Sequence, residues 1–192
     1  MNISFAGKVS VAASLLVAFG WLAPAALEAQ GRKAGVYIDR GACAGEGCGY
    51  GRWKTTKDTD AYAAPDVRSR KVGQFRAGTD ALALTGEVHV VPGKFVVKRR
   101  HGRFRAGNII RVYTYRGEGR FKVRHAGRWY DEEDLGFSPW GGTAGRRCEL
   151  GAECWGELES ELDMVTWVKV RSADGWTGWT NQPSHFDVEH DL

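Results

Sequence analysis

Trp167-Val168-Lys169-Val170-Arg171 runs into Ser172-Ala173-Asp174-Gly175 and then into Trp176-Thr177-Gly178-Trp179-Thr180. Val168 and Val170 alternate with Trp167, Lys169 and Arg171, the two-residue period of a strand with one buried face. Asp174-Gly175 is a hairpin turn pair, because glycine accepts the positive φ that such turns need. Gly178, between two tryptophans, leaves room for a neighbouring backbone to come close. The stretch therefore predicts a strand, a tight turn and a second strand.

The same signals recur outward from it. Val36–Asp39, Trp53–Thr56, Lys71–Phe75 and Asp80–Leu84 read as strands, with Ala61–Pro65 as an extended loop and Arg76–Thr79 as a turn. Further on, Val88–Val91, Phe95–Lys98, Asn108–Tyr115 and Arg120–Arg124 form a second set. The last two are joined by Arg116-Gly117-Glu118-Gly119, a hairpin loop with two glycines. Phe121 and Val123 should face one way, and Lys122 and Arg124 the other. Glu157–Leu162 reads as a short helix. Glycine-rich turns between short aromatic and β-branched runs make the expected class all-β.

The order Ala61–Pro65, Ser69–Gly73, Ala77-Gly78-Thr79, then Leu82 and Leu84, resembles the first half of bacterial Src-homology-3-like (SH3-like) domains. Trp167–Thr180 resembles the hairpin on which that family ends. The resemblance implies small β barrels in an exported bacterial protein. Members keep the two halves close in sequence, whereas here Thr85–Thr166 lies between them. Two architectures accommodate this: two SH3-like barrels in tandem, or one barrel with a large β insertion. Ala106–Ile110 repeats the turn-then-strand layout of Ala77–Leu82, which favours two units. The expected boundaries are a segment 30–51 with a cysteine loop, a first unit 52–106, a second unit 107–183 with a long, partly irregular insertion 131–161, and a flexible tail 184–192.

Met1–Ala29 reads as a signal peptide. Lys8 supplies the positive start, Val9–Leu22 carries no charge, and the small residues after Ala23 offer cleavage after Ala29, with Ala26 second. The apolar run is shorter than the ~20 residues that span a bilayer. Periplasmic or secreted localisation follows. In an exported chain the four cysteines imply disulfides, with local pairing of Cys43 with Cys48 and of Cys148 with Cys154 as the choice among three connectivities. Neither pair has the spacing common in zinc sites, and no metal is expected.

Charge is divided along the chain. Gln30–Arg128 carries 22 Lys and Arg against 8 Asp and Glu, and Trp129–Leu192 carries 4 against 14. The two halves can dock on each other or face separate partners. Lys98–Arg105 is the densest basic run, open to an anionic envelope polymer rather than nucleic acid, or else docked on the acidic half. Asp131–Asp134 offers carboxylates for acid–base chemistry, but four adjacent acids do not supply two carboxylates on opposite sides of a cleft. His185–His190 places two histidines near acids, an arrangement that a flexible acidic end explains as well as metal binding. No Ser or Cys lies in a nucleophile motif.

Aromatic side chains are the stronger candidates. Tyr62, Trp155, Trp167, Trp176 and Trp179 fall at the loop and hairpin positions that, by the resemblance, flank a groove in such barrels. Rigid rings there would hold an extended peptide at small entropic cost. The alternative is that these rings fill the core. The expectation is an exported, non-enzymatic binding protein of the bacterial envelope that takes a cell-wall peptide or a protein segment and needs no cofactor. The rivals are an envelope hydrolase using the acidic cluster and an inhibitor-type protein partner.

Overall fold

The computed structural model describes residues 35–43, 49–137, 139 and 155–188. The expected leader, Cys48, Cys148 and Cys154 lie outside them, and so do both cysteine pairings. Cys43, the one described cysteine, is not a free thiol. The protein is all-β, with curled sheets that form a half-barrel. Among the described residues no helix is long and apolar enough to cross a membrane.

The strands run β1 (Tyr37–Arg40), β2 (Gly51–Thr55), β3 (Thr59–Tyr62), β4 (Lys71–Phe75), β5 (Asp80–Val91), β6 (Gly93–Val97), β7 (Ile109–Gly117), β8 (Arg120–His125), β9 (Arg128–Asp134), β10 (Gly156–Ser160), β11 (Asp163–Ser172), β12 (Thr177–Thr180) and β13 (Phe186–Val188). They make two sheets. Sheet A has the order β13-β2-β5-β11-β12-β3-β4, with β1 also on β5, and sheet B has the order β10-β6-β7-β8-β9.

β5 is the spine of sheet A. It is long enough for β2 to pair with its first part, Asp80–Ala83, and β1 with its second, Glu87–Val90, along one edge. β11 runs antiparallel along the other edge from Val91 to Ala81. The separate strands expected at Asp80–Leu84 and Val88–Val91 are thus one. Gly86 marks a close approach rather than a break: a Cβ there would sit 2.7 Å from the Trp167 carbonyl oxygen and 2.8 Å from the Tyr50 hydroxyl. A register shift beside Lys169 and Val170 takes up the extra residue, Leu84.

The hairpin forms as its sequence predicts. Ser172 N–H donates to the Trp176 carbonyl at 2.9 Å, and Gly175 closes the turn at φ +87°. Val168 and Val170 enter the sheet A core with Trp53, Ala61, Phe75, Ala81, Ala83 and Phe186. Full burial of each such aliphatic side chain contributes about 1.5–3 kcal/mol.

Sheet B corrects the expected division at 106/107. β6 pairs with β7 across that point, and β11 and β12 return to β5 and β3 of sheet A. One sheet is interrupted by another, and the strand pairing is not that of two tandem units. Sheet B closes over its own core of Phe95, Ile110, Val112, Phe121, Val123 and Trp155, with Phe121 and Val123 facing inward as expected.

Two further expectations are corrected. Glu157–Leu162 is not a helix: Gly156–Ser160 pairs with β6, where the edge of a sheet supplies the backbone hydrogen bonds that a six-residue helix supplies poorly. Asp131–Asp134, at the start of the expected insertion, completes β9. Ser184–Val188 is not a loose tail, because Phe186 is buried against Trp53 and Phe75 while β13 pairs with β2.

Candidate functional site

Period-two alternation divides β12 between two faces. Gly178 turns toward the core, where a Cβ would lie 2.7 Å from Ala61 Cβ and 2.8 Å from Val72 Cγ2. Trp179 therefore stands on the outer face of sheet A. Its register partners are Tyr62 on β3 and Lys169 on β11, and directly paired residues share a face. Trp167, two residues before Lys169, lies on that face beyond the end of β12. The Tyr62 ring meets it edge-on, with centroids 6.1 Å apart at 82°.

Three of the five aromatic candidates thus come together. Trp167 is only 4% exposed, and Tyr62 and Trp179 are half-buried. None of the three belongs to the hydrophobic clusters that hold the sheets. The other two are placed elsewhere. Trp176 stacks on Phe75 at 4.7 Å against the sheet A core, with Gly73 leaving room for its indole. Trp155 is buried in the sheet B core between His101 at 4.4 Å and Phe104 at 5.6 Å. Both rings fill space that the fold needs filled.

Polar groups rim the aromatic face. Glu87, the register partner of Trp167, is buried and lies 2.7 Å from His89 Nε2 and 3.8 Å from Arg40 Nε. The His89 ring centroid is 6.4 Å from that of Trp167. In the loop after β3, Asp66 accepts hydrogen bonds from the Arg68 side chain and backbone, which hold its carboxyl down at about 2.

One row along the same face, Arg52 and Arg171 flank Leu82 as its partners on either side. With Asp80 and Ala173 they line an open cavity of about 270 Å³. Neither arginine carries an ion pair among the described residues. Sequence reasoning missed this pair, since 119 positions of numbering between 52 and 171 vanish only through the registers of β2 and β11 on β5.

The basic run is docked on the acidic half. Lys98 Nζ lies 3.4 Å from both Glu157 and Glu159, and Arg103 is 3.5 Å from Glu133 while its guanidinium covers the Tyr130 ring at 4.6 Å. Phe104 is buried within it. Along β9 three of the four acids lie near cations, Asp131 near Arg116, Glu132 near Arg120 and Glu133 near Arg103, while Asp134 accepts the Gly136 N–H. His185 Nδ1 is 3.0 Å from the Thr59 hydroxyl, a bond that ties the 3₁₀ turn Pro183–His185 to β3.

No family model matches the chain, and neither a curated protein nor a solved structure matches it.

Proposed function

We propose that this chain is an exported, non-catalytic binding protein of the bacterial envelope that holds an extended peptide, of the cell wall or of another envelope protein, on the outer face of sheet A. The observation that carries the reading is the pair Tyr62 and Trp179, half-buried partners on the outer face of sheet A that belong to none of its hydrophobic clusters, with the buried Trp167 packed edge-on against Tyr62. Rings held by a sheet lose little freedom on binding and bury a large area. Lys169 beside Trp179, and Arg52 and Arg171 one row away, add attraction for a ligand with a carboxylate end.

The test is a titration of the full exported chain with peptidoglycan-derived peptides, followed by tryptophan fluorescence. Binding that falls at least ten-fold in Trp179→Ala, with unfolding unchanged, supports the reading. No binding to these peptides, under conditions where a known binder is retained, removes the cell-wall version.

A further inference from the structure

Sheet B carries a second face with unusual electrostatics. Lys94 on β6 is the register partner of Arg111 on β7, Arg111 is the partner of Arg124 on β8, and Arg124 is the partner of Trp129 on β9. Paired residues share a face, so three cations and an indole stand in one row across four strands. Like charges directly opposite one another destabilise a sheet. Relief within the protein is confined to the ends of the row. Lys94 Nζ meets Glu159 at 2.8 Å, and the Arg124 guanidinium lies 5.5 Å from the Trp129 ring centroid. Arg111, in the middle, has no acidic partner among the described residues, and both arginines are exposed.

Trp129 is 41% exposed but not loose. Its ring packs on Tyr113 at 4.7 Å and on Tyr37 at 5.2 Å, with Lys122 Nζ and the Arg124 guanidinium each 5.5 Å from its centroid, and the rest of the indole is open to solvent. Directly opposed strand residues are about 5 Å apart, so Arg111, Arg124 and Trp129 span roughly 10 Å. That length suits an anion repeated along a chain better than a single phosphate. Proteins that hold single-stranded nucleic acid interleave their cations with several rings for successive bases. Here the row ends in one ring.

We propose that Arg111, Arg124 and Trp129 bind an acidic polysaccharide, the two guanidinium groups meeting its carboxylates and the indole covering the C–H face of one sugar ring. This site is separate from the peptide face of sheet A and does not depend on it. It also differs from Lys98–Arg105, whose Lys98 and Arg103 are held by glutamates.

The experiment titrates the full exported chain with soluble polygalacturonate, with neutral dextran and oligodeoxythymidylate as comparators, by calorimetry at two or more salt concentrations. Polygalacturonate should bind, and dextran should not. Replacing Arg111 and Arg124 with glutamine should lower the slope of log affinity against log salt by about 2. The same double variant should melt at a higher temperature than the wild type, because it removes directly opposed like charges. A merely structural role for the arginines would lower the melting temperature instead. Arg111→Lys with Arg124→Lys should retain most of the affinity, and Trp179→Ala should leave it unchanged. The proposal is overturned by absence of polygalacturonate binding, by an unchanged salt slope in the glutamine variant, or by tighter binding of the oligonucleotide.

Discussion

The carboxylate of Asp39 on β1 accepts a hydrogen bond from the Thr114 hydroxyl on β7 at 2.7 Å, and through it sheet A is tied to sheet B. The same carboxylate takes Arg116 Nη2 at 3.0 Å and Lys122 Nζ at 3.2 Å. Around this node pack Ala42, Val88, Val90 and Tyr113, with Tyr37, Leu162 and Met164 at the margin. A buried carboxylate is tolerated here because both of its oxygens are satisfied and two cations neutralise it.

Asp39→Asn keeps the shape and removes the charge, leaving Lys122 and Arg116 partly buried with little compensation. Removing one partner from a buried charge pair costs about 3–5 kcal/mol. Urea unfolding should show the lower end of that loss, because Arg116 retains Asp131 at 3.8 Å. A change below about 0.5 kcal/mol, the level of an exposed ion pair, would show that the node is not what joins the sheets.

Lys122 predicts an alkaline limit. Burial lowers the pKa of its ammonium, but hydrogen bonds and charge from Tyr37 and Asp39 outweigh this and hold it above 10.5. A base whose folded pKa is raised contributes stability fully below its unfolded value and loses that contribution as pH rises through the folded value. The stability difference between wild type and Lys122→Met should therefore be constant to about pH 10 and shrink above it. A difference independent of pH up to 12 would contradict the assignment.

Thr55 predicts a gain. Its side chain is buried in sheet A, and its hydroxyl has no hydrogen-bond partner among the described residues. Thr55→Val has nearly the same shape and removes the unpaired oxygen. An unsatisfied buried group costs about 1–3 kcal/mol, so thermal unfolding should move upward by the equivalent of about 1 kcal/mol. A lower melting temperature would mean that the hydroxyl has a partner in solution.

Trp176 and Trp179 should separate stability from binding, although they lie three residues apart. Trp176→Ala empties the space over Phe75 and should cost about 3 kcal/mol, somewhat less if its half-exposed edge relaxes. Trp179→Ala should change stability by under about 1 kcal/mol, as it belongs to no core cluster. Equal losses in the two variants would place Trp179 in the core after all.

The hairpin shows how far local pattern reaches. Alternation of Val168 and Val170 and the Asp174-Gly175 pair specify a strand, a turn and a strand without help from the rest of the chain. The short helix expected at Glu157–Leu162 fails for the complementary reason. Six residues carry too little intrinsic helical stability to resist an open sheet edge, and β6 supplies that edge. The candidate site is legible to the same degree. Pattern marks the five aromatic candidates alike, and which of them fill the sheet cores depends on what lies beneath each ring: Phe75 under Trp176, and His101 and Phe104 about Trp155.

From the sequence by itself came the all-β class, most strand positions and the inward faces of β8 and β11, because side-chain period and turn chemistry act over a few residues. Only the tertiary structure decided that sheet B interrupts sheet A, that Tyr62 meets Trp167, and that Lys94, Arg111 and Arg124 stand in one row. Those outcomes rest on register between strands far apart in the chain, and a shift of one residue would turn each side chain to the opposite face.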